Sequence, residues 1–170
     1  QGHIAVVPPH LGLRALLPVP DITQRIYISR AIGVNRITSK VTKLMWDSGG
    51  QNAADIMWIP SDGRSEILLA AQYTIYSNFP EFWPTVYRVD VATGRKRAVL
   101  KGRENVYDWN ADASGRIRTG MRYAQGSRKF TLLYRGEAGE DSFSGIDTAD
   151  SRKEEEVLRP FLFLPGTNHA

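Results

Sequence analysis

Nucleophilic and metal-assisted catalysis draw on few side-chain types, and this sequence is short of most of them. It has no cysteine, which excludes a thiol nucleophile, thiolate metal sites and a disulfide framework. Its three histidines, His3, His10 and His169, all lie near the ends. No internal imidazole is there to act as base or ligand, so neither a Ser-His-Asp triad nor a His-based zinc site is expected. The sequence contains no Gly-x-Ser-x-Gly nucleophile elbow, no P-loop, no Gly-x-Gly-x-x-Gly and no Asn-x-Ser/Thr sequon. No residue is therefore nominated for catalysis, cofactor binding or metal ligation, and no cofactor is expected.

Four constellations remain. Asn110-Ala-Asp112-Ala-Ser114-Gly115 has oxygen ligands at alternate positions before a Gly, like the start of a calcium loop. A bidentate Glu should close such a loop, but Met121 stands there and Arg116 and Arg118 add repulsion, so an Asx-type hairpin is expected. Arg95, Lys96, Arg97, Lys101 and Arg103 crowd into one stretch, followed by Arg116, Arg118 and Arg122. They could steer phosphates or peptide carboxylates. Interleaved Glu104, Asp108 and Asp112 favour a solvated strand face, and nucleic-acid binding is not expected. Tyr73, Tyr76, Phe79, Phe82 and Trp83, with Pro80 and Pro84, form an aromatic connection that either folds back on its own sheet or meets a domain or substrate. The run Arg152-Lys-Glu-Glu-Glu156 reads as a solvated connection.

The whole chain sets the frame for these groups. It has 170 residues, 42% of them hydrophobic and 24% charged, with a formal charge of +4. That is the composition of a globular domain and far from the clustered excess of a dedicated nucleic-acid binder. The most apolar N-terminal stretch, from Ile4 to Pro20, is broken by Pro8, Pro9 and Pro18 and carries Arg14. No membrane span is expected from it. The opening Gln-Gly-His and the closing Thr-Asn-His-Ala suggest an excised segment. A lack of cysteine fits either side of a membrane, so the compartment is left open.

The elements that must hold these residues are strands. Thr85, Tyr87, Val89 and Val91 alternate with Arg88 and Asp90. Ile117, Thr119, Met121 and Tyr123 alternate in the same way with Arg116, Arg118 and Arg122. Glu66–Tyr73 and Lys129–Arg135 are short runs bounded by Gly, Ser and Asp. Asp90-Val-Ala-Thr-Gly94 reads as a hairpin turn with Gly94 at positive φ, and Asp62-Gly63 and Ser114-Gly115 are further turn signals. The one helix candidate, Ser151–Leu158, is acidic enough to be a loop instead.

These signals repeat at a period of about 50 residues. Trp58 and Trp109 each precede a turn glycine, Gly63 or Gly115, and each turn leads toward a Tyr-Arg pair, Tyr87-Arg88 or Tyr134-Arg135. The matched tryptophans should pack in the core. A third copy opens at Arg159-Pro-Phe-Leu-Phe-Leu-Pro-Gly166, and a partial earlier one ends near Val34–Trp46. The expected fold is all-β: β-propeller-type repeats of antiparallel four-stranded sheets in an incomplete arc of about three blades. Residues 1–52 form a partial blade and N-terminal segment, 53–105 and 106–158 one blade each, and 159–170 the first strand of another.

From Ile56-Met-Trp58-Ile-Pro-Ser-Asp-Gly63 through Ile67-Leu-Leu69 and Pro84-Thr-Val-Tyr-Arg-Val-Asp-Val-Ala-Thr-Gly94, the order of motifs resembles one known family. Val106-Tyr-Asp-Trp109, Gly120-Met-Arg-Tyr123, Leu132-Leu-Tyr-Arg135 and Phe161-Leu-Phe-Leu-Pro-Gly166 continue it. This segment is similar to the N-terminal β-propeller of the prolyl-oligopeptidase family of serine peptidases, in its acylaminoacyl-peptidase and dipeptidyl-peptidase-like branch. The resemblance implies a C-terminal α/β-hydrolase domain as partner, carrying the triad that this chain lacks. It also implies a gating or sizing role toward short peptides, and no catalytic residue carries over. The alternative is a non-enzymatic propeller scaffold for protein–protein binding. In either case, open blade edges would allow a homo-oligomer.

Overall fold

The computed structural model describes residues 4–6, 15–17, 26–28, 30–35, 37–50, 55–136, 142–153 and 155–159. The elements run β1 (Ile4–Val6), β2 (Ala15–Leu17), β3 (Ile26–Ile28), β4 (Ala31–Asn35), β5 (Val41–Leu44), β6 (Asp55–Trp58) and β7 (Glu66–Ala71). They continue with β8 (Thr85–Asp90), β9 (Lys96–Leu100), β10 (Val106–Ala111), β11 (Ile117–Ala124), β12 (Lys129–Tyr134) and β13 (Ser144–Asp150). All pairings are antiparallel. Two sheets have four strands in sequence order, β6-β7-β8-β9 and β10-β11-β12-β13. A third joins β1-β4-β5, β2 pairs with β3, and each sheet is open. Only two short 3-10 turns, Pro80–Phe82 and Ser151–Lys153, interrupt the strands among the described residues. The expected all-β class with four-stranded antiparallel sheets is thus what the chain forms. The third motif copy from Pro160 to Gly166 lies outside the described residues.

The chain divides into two compact units, Gln1–Gly102 and Arg103–Ala170. In the first, Ile67, Leu69 and Ala71 of β7 and Val89 of β8, with Val91, share a core with Ala31 of β4 and Leu44 of β5. Ile56, Tyr73 and Tyr87 pack at its margin. The intervening β7 side chains, Leu68 and Ala70, are buried as well. Because neighbouring side chains point to opposite faces, β7 is buried on both. This explains its continuous apolar run, Ile67 to Ala71, where a half-solvated strand would alternate.

Two hairpins of this unit close on the same turn. The Asp90 N–H donates to the Arg95 carbonyl at 2.9 Å, and Asp90 Oδ1 accepts from the N–H groups of Ala92 and Thr93 at 2.9 and 2.8 Å. Asn35 does the same one hairpin earlier. Its N–H donates to the Lys40 carbonyl at 2.9 Å, and its Oδ1 accepts from Ile37 and Thr38 at 3.0 Å each. Gly94 has φ 75°, as the turn signal predicted, and its counterpart Ser39 has φ 56°. The β4–β5 hairpin therefore turns as β8–β9 does. The two are held together: Thr42 Oγ1 donates to the Ala92 carbonyl at 3.1 Å.

The second unit is built around Trp109, which is buried and lies directly opposite Gly120 in the β10–β11 register. A Cβ on Gly120 would stand 2.6 Å from the indole carbons, so only glycine lets the ring lie across β11. Phe143 packs against the same indole with ring centroids 5.2 Å apart. Trp58 is likewise buried at the end of β6, so both matched tryptophans occupy first strands and pack as expected. Gly63 and Gly115 both take φ 78°. The Tyr-Arg pairs fall in or just after third strands, β8 and β12. Ser151–Lys153 forms only a 3-10 turn, so the acidic stretch after β13 is not the helix it could have been.

Candidate functional site

A polar cluster of the first unit forms where the loop after β5 meets the loop after β7. Met45 takes a left-handed φ of 55° although its side chain is buried, a conformation that costs a non-glycine residue energy. The Ser48 N–H and hydroxyl both donate to the Met45 carbonyl. Arg30 donates to the Ser48 carbonyl at 2.7 Å and to its Oγ at 3.2 Å. The Gly50 N–H donates to the Gln72 carbonyl at 3.0 Å. These bonds fix Asp47 at the loop's crest, with its side chain 60% exposed.

Asp47 pairs there with Lys96 of β9, whose ammonium donates to Asp47 Oδ2 and also to the Tyr73 hydroxyl at 2.9 Å. The same ammonium lies 5.3 Å from the Tyr73 ring centroid and 5.6 Å from that of Tyr87. The two rings meet edge to face at 6.1 Å. The hydrogen bond from Lys96 is the main reason the Asp47 carboxyl lies below the usual carboxylate range. Burial, aided by a hydrogen bond donated to Tyr73, pushes the Tyr87 phenol up to about 12. Burial raises Tyr73 too, and it lowers Arg30 against the attraction of Asp47. At neutral pH the cluster holds an anion, an ammonium and two protonated phenols. It fixes charge in place; these carboxyl and phenol groups are not set to exchange protons.

The second unit has its own cluster. Asp112 follows β10, and its Oδ1 accepts from the N–H groups of Ser114 and Arg116 and from the Ser114 hydroxyl, at 2.9, 3.1 and 2.6 Å. Oδ2 accepts from Arg118 at 3.2 Å. Burial favours the neutral Asp112 carboxyl, but these donors outweigh it and keep the group below its ordinary value. The segment considered as a calcium loop is thus the Asx-type hairpin, with both carboxylate oxygens engaged by the protein. Among the described residues no three His, Cys, Asp or Glu side chains gather as metal ligands would.

Arg118 departs from the expected solvated strand face. It is buried, and its guanidinium donates to Asp112, to the Tyr134 hydroxyl at 2.7 Å and to the Arg135 carbonyl at 2.8 Å. These acceptors hold it outside any surface patch. Alternation along β11 marked its face but could not show that Asp112 and Tyr134 were waiting there. Arg135 in turn donates to the Ile117 carbonyl and lies 4.7 Å over Phe143.

The aromatic connection divides. Tyr73 joins the Lys96 cluster, Trp83 is buried and meets Phe82 edge to face at 4.9 Å, while Tyr76 and Phe79 are half exposed. Sequence reasoning had singled out Lys96, Tyr73 and Tyr87 for other reasons and missed Asp47, Arg30 and Ser48. Asp47 and Lys96 are 49 residues apart, and no local pattern joins them. No helix of the described residues is long and apolar enough to cross a membrane. No protein-family model, curated protein or solved structure matches this chain.

Proposed function

We propose that this chain is a non-catalytic segment of a β-propeller that gates peptide access to a serine-peptidase domain lying outside it. The observation that carries the reading is the pair of consecutive four-stranded meanders. In each, the buried tryptophan lies in the first strand, a glycine of φ 78° follows it, and a Tyr-Arg pair falls in or just after the third. Units of about 50 residues and four strands are the size of propeller blades. The exposed fourth strand β9 and the doubly buried β7 suit a blade whose outer edge meets solvent. The motif order that resembles the prolyl-oligopeptidase family supplies the peptidase part. The clusters around Lys96 and Arg118 support a structural role, since their charges brace loops and sheets.

The test is to read the native coding sequence beyond the codon for Ala170. We expect further repeats, then Gly-x-Ser-x-Gly, Asp and His in that order. A continuation of repeats with no nucleophile elbow would overturn the peptidase reading and leave a non-enzymatic scaffold. One observation favours that second reading: β9 presents a free basic edge, which a binding scaffold could use.

A further inference from the structure

β9 pairs with β8 on one side, and no strand pairs with its other side among the described residues. Its residues Lys96 to Val99 are exposed. An antiparallel edge strand directs the N–H and C=O groups of alternate residues outward, where they can accept another strand. The charge along this edge is one-sided. Lys96 is engaged by Asp47 and Tyr73 on one face. Arg95, Arg97 and Lys101 are exposed, and none forms an ion pair among the described residues.

On the face opposite Lys96, Arg97 stands directly across from Arg88, and like charges so placed repel. Among the described residues Arg88 has one carboxylate near, Glu66 at 3.5 Å. Its Nε is buried and has no hydrogen-bond partner among the described residues. A carboxylate delivered beside Arg97 would offset that repulsion.

We propose that the free edge of β9 takes an extended acidic peptide as an added strand, independently of the peptidase reading. Main-chain hydrogen bonds supply the docking, and acidic side chains at alternate positions meet Arg95 and Arg97. Apolar side chains at the intervening positions fall on the face of Ala98. The same cations repel a second copy of this edge, which selects against self-pairing. Nucleic acid fits less well, because Arg95 to Arg103 holds no aromatic side chain on which a base could stack.

The test uses the full chain and a short capped peptide of alternating Glu and Val, followed by calorimetry and by amide shifts. We expect binding at low salt that shifts the Lys96–Leu100 amides. The Glu-Val peptide should bind about tenfold tighter than its Gln-Val counterpart, since several exposed ion pairs each contribute roughly a factor of two. Added salt should narrow that gap. Arg97→Glu, checked for folding by circular dichroism, should weaken the Glu-Val peptide, and the milder Arg97→Gln should fall between. Equal affinity for both peptides would overturn the proposal. So would shifts confined to other strands, no binding at millimolar peptide, or binding of a single-stranded oligonucleotide alone.

Discussion

Ser39 and Gly94 do the same work in two copies of one turn, at φ 56° and 75°. A left-handed φ is strained for serine and free for glycine. Ser39→Gly should stabilise the first unit by about 0.5–1 kcal/mol, since the relieved strain exceeds the added flexibility of the unfolded chain. Gly94→Ala should cost about 1–2 kcal/mol, because its Cβ would also stand 3.0 Å from the Lys43 carbonyl. Urea melts of the two variants compare them directly, and equal shifts of one sign would contradict the equivalence. Tyr87 offers a second check at this scale. Its folded pKa of about 12 lies above the ordinary ~10 of a phenol. The stability it contributes is whole below pH ~10 and is lost as pH rises through about 12. Tyr87→Phe should flatten that alkaline limb, and tyrosinate absorbance should show the late-titrating phenol disappear.

Strands and their pairings set the next predictions. Arg118 and Asp112 are both well buried, with side chains 4% and 13% exposed. Arg118→Met should destabilise the second unit by about 2–3 kcal/mol, because it removes the charge paired with the buried Asp112 carboxylate and leaves only the donors to Oδ1. Since Asp112 is held below its usual value, its contribution is present above pH ~4 and is lost as pH falls through its lowered pKa. Arg118→Met should therefore weaken the acid dependence of unfolding. On β9, Arg97→Glu places opposite charges across from each other where like charges now stand. It should raise stability by about 0.2–1 kcal/mol, measurable by thermal melting.

These pairs also mark where the sequence was legible. Alternation identified β8 and β11 and the turn at Gly94, since those patterns repeat every second residue and depend on near neighbours. The burial of Arg118 and the Asp47–Lys96 pair were not legible. Both depend on which segments the sheets bring together, and no local pattern records that. The hairpin turn at Asn35 was hidden for a simpler reason: Ser39 fills a position where glycine is the usual signal.

At the scale of the whole molecule, the described residues form antiparallel sheets in two compact units. The sequence has no Gly-x-Ser-x-Gly elbow, and its three histidines lie near its ends, distant in sequence from any serine of the two four-stranded sheets. The purified chain should therefore form no adduct with a fluorophosphonate probe, read by mass spectrometry. An adduct on any serine would contradict the gating proposal, which assigns hydrolysis to a domain elsewhere.

The strand order has one more consequence. In both four-stranded sheets each strand after the first pairs with the one made just before it. Local pairings of this kind close short loops, which favours rapid folding. As the chain leaves the ribosome, β6 to β9 can close before β10 to β13 have all emerged. The first of these sheets then passes through a brief stage in which β8, paired with β7, has its other edge open until β9 arrives to cover it. A pause once β9 has emerged would lengthen the time available to the finished sheet, while a pause with β8 out and β9 still enclosed would prolong the stage with an open edge.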